Sequence, residues 1–72
     1  MTRTALAAAR THAELAALVT PLRGRALQTL LDEVGLSYLR NATVVRKREA
    51  LAEHFGRQLD SRAIEAMGRQ LH

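Results

Sequence analysis

Residues 25–56 read RALQTLLDEVGLSYLRNATVVRKREALAEHFG, and the organisation of the whole chain follows from them. Together with Leu22, the residues Ala26, Leu27, Leu30, Leu31 and Val34 recur at three- and four-residue steps. That spacing marks one face of an α-helix. Arg23, Arg25, Gln28, Asp32 and Glu33 take the opposite face. Gly35 stands where a helix C-cap glycine belongs. Residues 36–42, LSYLRNA, fit either an extended linker or a short helical turn, with Leu36 and Leu39 directed inward. Asn41 and Thr43 are both able to cap the next helix. That helix is expected from about Thr43 to Phe55. Val44, Leu51 and Phe55 form its inner stripe, Val45 and Ala52 assist, and Gly56 ends it.

Outward from this centre, residues 4–19, TALAAARTHAELAALV, are nearly all strong helix formers. One helix is expected there, with Leu15, Leu18 and Val19 as its stripe and Leu6 extending it. The alternative is a fresh start at Thr11, because Thr11-His12-Ala13-Glu14 fits a capping box. Thr20-Pro21 ends this helix, and Pro21 suits the first turn of the next. At the other end, Asp60-Ser61 is a good cap pair for a last helix to about Gln70, with Ile64, Met67 and Leu71 as its apolar positions. Gly68 weakens that helix by roughly 1 kcal/mol relative to alanine. The expected fold is all-α. It is a single domain of about four short helices, at about 4–19, 21–34, 43–55 and 60–70, with a helix–loop–helix at its centre.

Size and composition narrow the function. Seventy-two residues make one small domain with a marginal core. There is no cysteine, hence no disulfide framework and no thiolate metal site. Oligomerisation is another way to stabilise so short a chain, so a homodimer is one expectation. The apolar runs are broken by Arg, Glu or His and fall far short of the roughly 20 residues a membrane span needs. Arg10, His12 and Glu14 likewise interrupt the N-terminal stretch too early for a signal peptide. A cytoplasmic protein with no membrane partner is therefore expected.

Catalysis is not expected. None of His12, His54 and His72 lies four residues from another histidine, so no helical metal pair exists. Glu49 and Glu53 lie one turn apart, but a Glu run after Arg46-Lys47-Arg48 gives ordinary surface pairs. No phosphate-binding glycine loop or nucleophile motif is present, and no cofactor is implied.

The basic residues are more informative. The net charge is +4, and ten of the eleven cationic residues are arginine. Arginine matches phosphate geometry and favours anionic partners. Between Val34 and Arg48 there are four basic residues, Arg40, Arg46, Lys47 and Arg48, and no acidic one. The triplet falls in the first turn of a helix, where the helix dipole disfavours cations. Helix stability therefore does not account for it. Cationic side chains beside the free N–H groups of a helix start make a coherent phosphate-binding spot. The competing account is a solvated charge run paired with Glu49 and Glu53. Tyr38 and Phe55 are the only aromatic residues. A sequence-tolerant single-strand binder, which needs a row of stacking faces, is disfavoured.

Helix, Gly-Leu, linker, then a basic-started helix resembles the helix–extended-loop–helix family, which includes SAP domains and the N-terminal domain of the Rho terminator. Leu30-Leu31-Asp32-Glu33-Val34-Gly35-Leu36 is similar to the first helix and its glycine turn. Arg46-Lys47-Arg48-Glu49-Ala50-Leu51 is similar to the start of the second. The resemblance covers about half the chain. It implies that Arg46 and Lys47 contact nucleic acid and that Leu30, Leu31, Leu36 and Leu51 are core. A helix-turn-helix is the neighbouring reading. It has Gly35 in the turn and a recognition helix at about 37–48 bearing Tyr38, Arg40, Asn41, Thr43 and Arg46, residue types that suit base edges and phosphates.

The expected function is non-catalytic binding of nucleic acid, with double-stranded DNA favoured. Arg46, Lys47 and Arg48 would grip phosphates, with Arg40 and Asn41 nearby and Arg23 and Arg25 extending the positive surface. The alternative is a helical adaptor or homo-oligomeric module that docks a protein partner through its first and last helices.

Overall fold

The computed structural model describes residues 2–70 and shows an all-α bundle with no strand among them. Four helices follow in order: α1 (Arg3–Ala7), α2 (His12–Val19), α3 (Gly24–Glu33) and α4 (Val44–Gln70), with a 3-10 turn at Ser37–Leu39 between the last two. α4 packs against each of the other three. The core is a cluster of leucines with Ala9, Val19, Ala50 and Phe55, and Leu6, Leu15, Leu27, Leu31 and Leu51 are its fully buried large side chains.

The expected helix over 4–19 is two helices. Nine residues at 3.6 per turn would place Leu6 and Leu15 about 180° apart on one continuous helix. Breaking the chain at residues 8–11 lets both enter the core, at 1% and 2% exposure. The Thr11 capping box makes the break: Thr11 Oγ1 accepts from the Glu14 N–H at 3.0 Å, and the Glu14 carboxylate reaches back to the Arg10 N–H at 3.2 Å. The next helix begins at Gly24 rather than Pro21. Gly24 takes φ +60°, so a right-handed helix cannot run through it from Pro21. Leu22 instead tucks into the core from the intervening turn.

α3 ends as expected. Gly35 adopts φ +82°, the Leu36 N–H bonds the Leu31 carbonyl at 2.8 Å, and the Gly35 N–H bonds the Asp32 carbonyl at 3.3 Å. These two bonds are the Schellman pair. The linker takes the helical-turn form, with Leu39 buried and Leu36 half-buried. Residues 37–48 therefore do not make the single recognition helix that a helix-turn-helix requires. Thr43 caps α4, accepting from the Arg46 N–H at 3.1 Å.

The expected third and fourth helices are one. Gly56 does not end α4, because it lacks the positive φ that a glycine stop needs, and Asp60 and Ser61 lie in the helix interior. Gly56 serves a packing purpose. A Cβ built there would lie 3.2 and 3.3 Å from Cε1 and Nδ1 of His12, whose Nε2 sits 2.7 Å from Asp60 Oδ1. The missing methyl lets α2 lay its first side chain on α4. The exposed His12–Asp60 pair is worth little by itself, whereas alanine in a helix interior gains about 1 kcal/mol over glycine. Gly56→Ala is thus expected to stabilise the protein by about 0.5–1 kcal/mol more in a His12→Ala background than alone. Urea denaturation of the two single variants and the double variant measures that coupling; strict additivity would remove the contact's role.

Val44 and Val45 are exposed rather than inward, and so is Ala26. Ile64 and Met67 also face outward, at 65% and 58% exposure. The far half of α4 extends beyond the bundle and gives the molecule its 46 Å long axis. Leu71 and His72 lie outside the described residues. No helix among the described residues is long and apolar enough to cross a membrane.

Candidate nucleic-acid interface

The seven residues expected to bind nucleic acid fall into separate groups, of which one lies at the start of α4. Thr43 closes the helix end through its side chain, and its carbonyl takes the first intrahelical bond, from the Lys47 N–H at 2.9 Å. The N–H groups of Val44 and Val45 precede that bond, and the first turn of α4 contains no acidic residue. Arg46 is exposed there and Lys47 half-buried.

Lys47 and Arg40 share the field of one carboxylate, Asp32, at the end of α3. Asp32 accepts a hydrogen bond from Gln28 Nε2 at 2.8 Å. Its pKa is lowered from the ordinary 3.8, first by that bond, then by a bond from the Ser37 side chain, with weaker help from Arg40 and Lys47 and against a small cost of burial. A lowered pKa in the folded state stabilises the fold above pH 3.8 and loses that effect as the pH falls through the lowered value. Ser37 opens the 3-10 turn that leads to Arg40. Asn41 is exposed in the bend that follows.

Arg48 faces the other way. Its Nε donates to the Leu22 carbonyl at 2.7 Å in a partly buried setting. A charge-assisted bond of this kind contributes about 1.5–3 kcal/mol, and it ties α4 to the turn before α3. Part of the Arg48 guanidinium is therefore committed to the fold. Arg23 follows Leu22 at the N-cap of α3, beside this bond. Arg25 lines a different groove, between α1 and α3, with Thr2, Arg3, Thr29 and Glu33. The group centred on the start of α4 is thus Arg46, Lys47 and Arg40, with Asn41 beside it.

The pairing of the triplet with Glu49 and Glu53, the competing account, is not found among the described residues. Glu53 is turned along α4 toward Arg57, 3.9 Å away. His12 Nε2 and Asp60 Oδ1 meet farther along α4, away from the triplet. Arg46 and Lys47 have no carboxylate within ion-pair distance among the described residues.

Exposed apolar side chains mark the same place. Of the five large hydrophobic residues that are exposed among the described residues, Tyr38, Val44 and Val45 lie within the linker and the first turn of α4. In the sequence both valines read as core, because Val44 and Val45 lie seven residues before Leu51 and Ala52 and share their helical phase.

A second concavity, of about 450 Å³, lies between α1, the end of α3 and α4, with Phe55 and Val34 in its floor and Arg3, Glu33, His54 and Gln58 around it. Among the described residues, no group of three or more His, Cys, Asp or Glu is placed to hold a metal ion. No protein-family model, characterised protein or solved structure matches the chain.

Proposed function

We propose that this protein is a non-catalytic nucleic-acid-binding module that grips the phosphate backbone, of double-stranded DNA foremost, at the start of α4. The observation that carries this reading is that Arg46 and Lys47 have no ion pair among the described residues and sit in a first turn without any acidic residue. The helix dipole makes that the least favourable place for cations. An external anion, bound by the side chains and the helix end together, offsets the cost. Arg40 adds charge from the linker and Asn41 a neutral hydrogen-bonding group. Arg48 and Arg23 form the far edge. The Schellman-capped α3 and the basic-started α4 are the features shared with SAP and Rho N-terminal modules, for which this surface would be the binding face, whereas the linker between them is a 3-10 turn rather than an extended loop. A cytoplasmic location belongs to the same reading.

Binding of a labelled random-sequence duplex, followed by fluorescence anisotropy across a salt series, tests it. The affinity is expected to fall linearly on a log–log plot, with a slope of about −0.9 per phosphate neutralised. Absence of binding at low salt would end the proposal.

The second reading is a protein-interaction module. The exposure of Ile64 and Met67 on the projecting half of α4 favours it. That face would seat a partner helix or a second copy of the chain, and a dimeric mass in gel filtration would speak for the second copy.

A further inference from the structure

We infer that Tyr38 stacks on an unpaired base, so that the site takes DNA at a boundary between double and single strands in preference to an uninterrupted duplex. The inference rests on the phosphate-binding reading of the same surface and adds the kind of DNA it selects.

Tyr38 is 76% exposed, more than any other large hydrophobic side chain described. It has no hydrogen bond or ring contact among the described residues, so the fold does not account for it. Its backbone, by contrast, is held firmly. Leu36 and Leu39 pack on the core cluster on either side of it. The N–H groups of Leu39, Arg40 and Ala42 close successive turns at 3.1, 3.1 and 2.9 Å. A ring presented from a rigid turn loses little freedom when it stacks, which favours binding.

The surroundings identify the ligand. Arg40 follows two residues later, Arg46 and Lys47 lie at the adjoining helix start, and Val45 is exposed among them. Cations interleaved with an aromatic face suit a polyanion whose bases are accessible. In an uninterrupted duplex both faces of every internal base are covered by neighbours, and a tyrosine ring reaches only sugar or groove edges. An unpaired nucleotide beside a duplex offers a free face. A single ring serves one such base and not a run of them, so the phosphate grip must come from the adjoining duplex.

Three labelled probes test this at low salt with the full chain: a blunt duplex, the same duplex with a short single-stranded overhang, and the free single strand. The wild type is expected to bind the overhang probe about tenfold more tightly than the blunt duplex, the scale of one base–aromatic stack. Tyr38→Ala is expected to abolish that preference and leave blunt-duplex affinity unchanged, while Tyr38→Phe retains it. Equal wild-type affinity for the two duplex probes, or a Tyr38→Ala variant that keeps the preference or weakens both probes alike, overturns the inference and leaves the phosphate reading standing. No binding of any probe overturns both.

Discussion

Replacing Arg46 and Lys47 together by alanine is expected to weaken duplex binding tenfold or more while leaving the fold intact. Each phosphate left without its cation lowers the salt-dependence slope by about 0.9, so the log–log slope should become shallower by roughly 2. The stability of the double variant should stay level or rise. Cations in a first helical turn oppose the dipole by about 0.3–1 kcal/mol apiece, and neither side chain makes an ion pair among the described residues. Anisotropy titrations measure the first effect and thermal melts by circular dichroism the second. A folded double variant with wild-type affinity and slope would remove this site. Arg48 is a poorer probe. Its Nε bonds the Leu22 carbonyl, so Arg48→Ala alters stability and binding together and assigns neither.

Much of this surface is legible in the sequence because it depends on local order. The absence of acidic residues from Val34 to Arg48, the glycine stop at Gly35 and the Thr43 cap all act within a few residues of themselves. The way the cations divide is not local. Arg48 finds its carbonyl 26 residues away, and Lys47 meets the field of Asp32 only because the end of α3 lies beside the start of α4. No spacing rule within a single helix contains either fact.

The same distinction explains the helix boundaries. Gly56 has the composition of a stop, yet its reason for being glycine is the His12 ring arriving from another helix. The capping box at Thr11 is visible in sequence, but the helix-forming residues on both sides of it argue for continuity. The opposite phases of Leu6 and Leu15 decide the matter, and that counts only once both are required to share one core.

Leu51→Ala is expected to damage the fold more than any other substitution named above. Leu51 lies in the first half of α4 with 0% exposure, at the centre of the cluster that joins α4 to the other helices. Truncating a fully buried leucine costs about 2–5 kcal/mol in transfer energy and residual cavity. A domain of this size has a total stability of roughly 4–11 kcal/mol, so the variant should lose a large part of its folded population. Ile64→Ala, thirteen residues along the same helix, is expected to stay within about 0.5 kcal/mol of wild type, because Ile64 is 65% exposed beyond the bundle. Urea denaturation followed by far-UV circular dichroism compares the two. A cost below about 1 kcal/mol for Leu51→Ala would mean that α4 does not close the core there. A large cost for Ile64→Ala, growing with protein concentration, would mean that the projecting half of α4 is covered in solution by a second copy. The contrast between two aliphatic residues on one continuous helix thus separates the half that holds the fold from the half available to a partner.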